Sequence, residues 1–161
     1  MQKITSAKTS RKQIPAAAKK IDWKPNTMNF DLGAGKYNEF SMFLSERKVF
    51  NLAYDPYNLD IEANISALGF VLENKGTTTA TCFNVLNVIP EKRNIKKAVR
   101  LTLNALKDNG TAFFQVYEGD GSGLGCKTSC GWQNNMKKKE YEKIVDKIQK
   151  KEFPNVNYKF L

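Results

Sequence analysis

Short apolar runs rich in β-branched and aromatic residues alternate along this chain with segments whose apolar residues recur at helical spacing. That rhythm limits the architectures open to it: strands separated by helices pair into a mostly parallel sheet with helices on both faces. Residues 28–32 read as a first strand running into a tight turn at Gly33. Phe40, Phe43 and Leu44 then fall at helical spacing, and residues 49–54 form a second strand closed by Asp55-Pro56. Ile61, Ile65, Leu68 and Leu72 repeat at i, i+4, i+7 and i+11, which predicts the buried face of a helix ended by Lys75-Gly76. Residues 77–85 are β-branched and predict a central strand that exits through residues 86–89. Pro90-Glu91 opens the next helix, with Ile95, Ala98, Val99, Thr102 and Leu106 inward and Gly110 at its end. Residues 111–117 read as another strand, followed by a loop holding Gly119, Gly121, Gly123, Gly125 and Gly131. Tyr141, Ile144, Val145 and Ile148 mark a last helix, and residues 156–161 a final strand.

A length of 161 residues suits one domain with a real core. The expected division is a basic N-terminal arm over residues 1–24, with a short helix near 16–21, and a single domain over 25–161. No apolar run reaches the roughly 18 residues of a membrane span, and no apolar stretch follows the first charges as in a secretory leader. Three cysteines, an odd number, fit reduced thiols and a cytoplasmic setting, the host's cytoplasm if the chain is phage-encoded. The chain has no His, which removes histidine triads, histidine metal sites and a histidine general base. Cys126-x3-Cys130 has only Cys82 as a further thiol, too few ligands for tetrahedral zinc, so no metal is expected.

The net charge of +10 is concentrated at the two ends. Lys3, Lys8, Arg11, Lys12, Lys19, Lys20 and Lys24 face a single acid, Asp22, in the arm, and Lys137-Lys138-Lys139 cluster near the last helix. Residues 25–125 are close to neutral. Basic flanks on a neutral core fit a polyanionic partner, nucleic acid above all.

The turn Asp31-Leu32-Gly33-Ala34-Gly35 lies at the end of the first strand, where an open α/β sheet binds its ligand. Glycines there let backbone approach the ligand closely. Asn38 stands where a dinucleotide fingerprint needs its third glycine, and no Gly-Lys-Ser/Thr phosphate loop is present. A ligand with ribose and a charged tail but no phosphate suits such a turn. Asp55, at the end of the neighbouring strand, can accept from both ribose hydroxyls.

These residues, with Tyr54-Asp55-Pro56-Tyr57, the stretch from Asn84 to Glu91, Gly119-Asp120-Gly121-Ser122-Gly123 and Gly131-Trp132-Gln133-Asn134-Asn135, give the chain its resemblance. From about Met28 onward it resembles the Rossmann-like, class I S-adenosylmethionine-dependent methyltransferases. Among them it is most similar to small phage-encoded methyltransferases and to methyltransferase-like proteins associated with DNA phosphorothioation. The resemblance implies S-adenosylmethionine as cofactor, leaving as S-adenosylhomocysteine. It implies contacts from Asp31, Leu32, Gly33, Ala34, Gly35, Asp55, Pro56 and Tyr57, with Asn84 and Val85 near the adenine or methionyl end. The chain departs from the pattern in having one helix between Asp55 and Asn84, and one final strand where a hairpin is usual. The expected fold is thus a three-layer Rossmann-like α/β domain lacking an edge strand.

Asp55-Pro56-Tyr57 has one proline too few for the target-base motif of amino-group DNA methyltransferases, and Cys82 does not follow a proline as a cytosine C5 nucleophile would. On the acceptor side, Trp132 offers a stacking surface and Gln133, Asn134 and Asn135 offer amides that read base edges. Asp120 and Asn84 are the candidate catalytic groups, and Lys137 and Lys138 the phosphate contacts. The expected activity is methyl transfer to DNA or another nucleic acid. The rivals are the same transfer to a small molecule or protein, and a module that binds S-adenosylmethionine or DNA without catalysis.

Overall fold

The computed structural model describes residues 12–129 and 131–161, so Lys3, Lys8 and Arg11 of the basic arm, and Cys130, lie outside the described residues. Along the chain come β1 (Thr27–Leu32), α1 (Glu39–Ser45), β2 (Val49–Tyr54), α2 (Ile61–Glu73), β3 (Thr77–Phe83), α3 (Lys92–Asn104) and β4 (Leu106–Gln115). A ribbon of β5 (Cys126–Thr128) and β6 (Gly131–Gln133), then α4 (Lys138–Glu152) and β7 (Asn157–Phe160), complete it. The main sheet has the order β2-β1-β3-β4-β7. Every pairing in it is parallel, while the β5–β6 ribbon is antiparallel. This is the Rossmann-like three-layer α/β arrangement, with a terminal strand that joins β4 in parallel.

The connection from β1 to β2 runs one way across the sheet and the later crossovers run the other. Right-handed crossovers therefore put α1 on one face and α2, α3 and α4 on the opposite one. The reversal at β1 opens a crevice between β1 and β3 at the carboxyl edge. Phe30, Leu52, Ala67, Val71, Val99, Leu103, Phe114, Tyr141 and Val145 share the core beneath the three helices. Under α1, a second cluster joins Ala18, Trp23, Phe40, Phe43, Leu44 and Val49. The 3-10 turn Ala16–Lys20 belongs to this second layer: Ala17 and Ala18 are buried. Trp23 Nε1 donates to the Ala18 carbonyl at 2.8 Å. Its ring meets Phe40 and Phe113, so the end of the basic arm covers a sheet face that α1 alone would leave bare.

Three expectations need correction. Of the stripe predicted as the inner face of α2, Ile61, Ile65 and Leu72 face outward, at 68%, 63% and 77% exposed, and only Leu68 packs against the core. Asn64, Ala67 and Val71 face the core instead. Second, α3 ends at Asn104, and Leu106 begins β4 rather than closing the helix. The register between β3 and β4 jumps from Thr77↔Leu106 to Thr79↔Thr111, and Asn109 at φ 63° turns the extra residues out of the ladder. Gly110 therefore sits in a bulge, and β4 stops at Gln115, before Tyr117. Third, the glycine-rich loop is partly ordered as the β5–β6 ribbon.

Candidate functional site

A cavity of about 950 Å³ opens at the carboxyl edge of the sheet. That is the upper end of the range for sites that enclose small ligands. All ten residues expected at the cofactor line it: Asp31, Leu32, Gly33, Ala34, Gly35, Asp55, Pro56, Tyr57, Asn84 and Val85. Gly33 and Gly35 have φ of 77° and 74°. A Cβ on Gly33 would overlap the Val85 side chain as well, so the turn after β1 and the exit of β3 approach each other only with glycine here. The Gly33 N–H donates to the Tyr54 carbonyl at 2.8 Å, fixing the turn against the end of β2.

Asp31 forms the floor. It pairs in register with Thr81 on β3, whose hydroxyl donates to Asp31 Oδ1 at 2.7 Å. The same hydroxyl accepts from Asn29 Nδ2 at 3.0 Å, and Asn29 Nδ2 also donates to Asn51 Oδ1. Asn51 Nδ2 in turn donates to Ser41 on α1. A polar ladder thus runs under α1 to the floor of the cavity. Burial pushes the Asp31 carboxyl up to about 7, against the pull of the Thr81 hydroxyl and with a further push from Asp55.

Asp55, the expected ribose acceptor, is already engaged by four donors. Its Oδ1 accepts from the backbone N–H groups of Tyr57 and Asn58 at 2.9 and 3.1 Å. Its Oδ2 accepts from the Gly35 N–H and the Asn58 side-chain amide, both at 2.9 Å. A carboxylate offers about four acceptor positions, and these bonds fill them. Asp55 is the clip that joins the turn after β1 to the loop after β2. Ribose hydroxyls reach it only by displacing a donor such as the Asn58 side chain, which also lines the cavity.

Asn87 and Gln115 also line the cavity, and their side-chain oxygens, Asn87 Oδ1 and Gln115 Oε1, are buried with no hydrogen-bond partner among the described residues. Buried acceptors are normally satisfied, so both need a donor that the described residues do not supply, and a small turn of either side chain would bring its oxygen to the cavity. Tyr57, held above its usual range by burial and by Glu91 and Asp55, reports the same negative surroundings. The rim differs in sign: Arg93 and Lys97 of α3 line it, with the exposed rings of Tyr37, Tyr57 and Tyr117.

The expected acceptor-side residues divide. Trp132 and Gln133 line the cavity, and Gln133 Nε2 donates to the Tyr117 carbonyl at 2.9 Å. Asn134 is structural: its Nδ2 donates to the carbonyls of Leu86 and Ile89, and its Oδ1 accepts from Trp132 Nε1 at 2.8 Å, which aims the indole. Asn135 Nδ2 donates to the Leu124 carbonyl at 2.9 Å and holds the glycine-rich loop. Asp120 is outside the cavity lining, accepting from the Ser122 N–H at 2.9 Å. Asn84 lines the cavity at φ 57°, its N–H donating to the Gln115 carbonyl at 2.8 Å. Lys137 and Lys138 start α4; Lys138 Nζ reaches the Phe160 carbonyl and Glu142. Cys82 is buried on β3 with its thiol pushed up to about 12, which leaves no thiolate for nucleophilic attack.

Sequence reading missed Asn87 and Gln115 as buried, unpaired acceptors beside the cavity and Arg93 and Lys97 as a basic rim. The signals were present: Gln115 is the last residue of a strand at the carboxyl edge, and Arg93 and Lys97 stand four apart at the start of a helix leaving the cavity. No family model matches the chain, and no curated protein matches it. None of the described helices is long and apolar enough to cross a membrane.

Proposed function

We propose that the protein is an S-adenosylmethionine-dependent methyltransferase whose acceptor is DNA or another nucleic acid. The observation that carries this reading is the lining of the crevice between β1 and β3: two carboxylates and two unpaired amide oxygens around a glycine turn. Such a lining favours a ligand rich in donors and positive charge over one that carries phosphates. The residues fit S-adenosylmethionine on that ground. Asp31, Asn87 and Gln115 would accept from its amino groups, Asp55 from its ribose after exchange with Asn58, and the turn from Gly33 to Gly35 would lie against it. The bound sulfonium supplies an activated methyl group.

The chain's own residues then have to align an acceptor and exclude water. Trp132, Tyr57 and Tyr117 provide faces on which a base can stack. Asn84, at the mouth, can accept a hydrogen bond from a target amino group, and Arg93 and Lys97 can hold a neighbouring phosphate. Asp120 is not among the residues that line the cavity, and the base is left unassigned.

Calorimetric titration tests the reading. S-adenosylmethionine and S-adenosylhomocysteine are expected to bind, and NAD and ATP to bind far more weakly. Transfer of labelled methyl groups to DNA or RNA should follow. Binding of NAD or ATP in preference to the sulfonium nucleoside would overturn it.

A further inference from the structure

Beside the cavity, α3 and α4 enclose a second groove of about 400 Å³. Its walls carry Lys92, Lys96 and Arg100 from α3 and Lys143, Lys147 and Lys151 from α4. On each helix these cations stand four residues apart, so each wall is a row with a rise of about 6 Å between neighbours. The spacing is close to that of successive phosphates along a nucleic-acid strand. Both helices begin at the carboxyl edge of the sheet and run the same way. At the far end Arg100 Nε and Nη2 donate to the two carboxylate oxygens of Glu152 at 2.7 and 2.8 Å. Arg100 is therefore neutralised, and Glu140 places one opposing carboxylate at the near end. Lys92, Lys96, Lys143, Lys147 and Lys151 form no ion pair among the described residues. Five lysine ammonium groups without an ion pair along one cleft repel one another, and a chain of anions would relieve that repulsion.

We infer that this groove is the binding track for a nucleic-acid backbone. Its position relative to the cavity supports the choice. Arg93 and Lys97 line the cavity while their neighbours Lys92 and Lys96 line the groove, so one helix presents cations continuously from one to the other. A strand seated between α3 and α4 would have its next nucleotides over the cavity mouth, near Tyr117 and Trp132. The inference rests on the nucleic-acid acceptor in the reading above and locates it on a surface outside the cofactor cavity.

Filter binding of a radiolabelled single DNA strand and its duplex, across a salt series, tests it. The full chain is compared with Lys96→Glu/Lys147→Glu and with a control of equal charge change on the opposite edge, Lys75→Glu/Lys107→Glu. The groove variant is expected to bind about tenfold or more weakly, with the slope of log affinity against log salt reduced by about 1–2. The control should stay within about twofold, and both should retain the affinity of the parent for S-adenosylmethionine. Equal loss in control and groove variants, or none in either, would overturn the inference while leaving the methyl-donor reading intact. Groove-dependent DNA binding by a protein that binds no methyl donor would overturn that reading and leave the groove standing. Tighter binding to phosphatidylserine vesicles than to either oligonucleotide would overturn the nucleic-acid assignment in favour of a membrane surface.

Discussion

Asp31 couples the cavity to pH. Its carboxyl stands at about 7 in the fold against an ordinary 3.8, so the native state holds a proton that the unfolded chain has released. Stability contributed by this residue therefore falls as pH rises from about 4 to about 7, and is level above. Asp31→Asn should flatten that dependence, as followed by urea denaturation across the range. A cationic ligand has the opposite requirement, since it is held best by the ionised carboxylate. Donor affinity of the parent should rise with pH through about 7, and Asp31→Asn should weaken binding by about 1–3 kcal/mol above that point. At Gly33 the constraint is steric. Gly33→Ala faces both the positive φ and the Val85 side chain. A cost of more than about 1 kcal/mol is expected in denaturation, with donor binding lost before the fold.

At the scale of elements, α2 teaches the most. Its sequence offers two stripes at helical spacing, and the more apolar one, Leu68 apart, points away from the sheet. The core-facing stripe was hidden by Asn64, a polar residue where an apolar one would be expected. Asn64 is buried because its Oδ1 accepts from the Asp55 N–H at 2.8 Å and its Nδ2 donates to the Asp55 and Asp60 carbonyls. That tie anchors the loop between β2 and α2, and it depends on contacts periodicity does not encode. Val71→Ala should cost roughly 1–3 kcal/mol through its cavity, while Leu72→Ala should stay within about 0.5 kcal/mol. Equal costs would contradict the orientation of the helix. β1, β2 and the start of α3 were legible because Gly33, Asp55-Pro56 and Pro90-Glu91 are strong local stops. The end of α3 was not, because the bulge at Asn109 is set by the register of β4 against β3 and by the bond from the Asn109 N–H to the Asn155 carbonyl.

Over the whole molecule, the layered parallel sheet was legible in the sequence, as was the gathering of the glycine turn, Asp31 and Asp55 at one cavity. Both follow from where strands end and where glycines and carboxylates stand relative to those ends. The loop around Trp132 was less legible, because Asn134 and Asn135 look like recognition residues and, in the fold, their side-chain amides donate to backbone carbonyls. Asp55 shows the same limit: position at a strand end gave its neighbourhood and not its partners. The groove between α3 and α4 is likewise invisible along the chain, since its rows are far apart in sequence and meet only by packing. Cover of the second sheet face also depends on distant parts. Trp23→Ala should cost about 3–5 kcal/mol, read by thermal or chemical denaturation, because the residue joins the N-terminal turn to α1 and β4.

Trp23 and Trp132 are the chain's two tryptophans, and the fold gives them opposite settings. One is sealed at 8% exposure beneath α1, while the other stands at the cavity with its Nε1 tied to Asn134. Intrinsic fluorescence therefore carries two separable signals. Emission from Trp23 shifts to the red only when the second layer comes apart, whereas Trp132 responds to whatever fills the crevice while the fold stays whole. A Trp132→Phe protein would report unfolding alone, and subtracting its trace from the parent's leaves an optical titration of occupancy that needs no label.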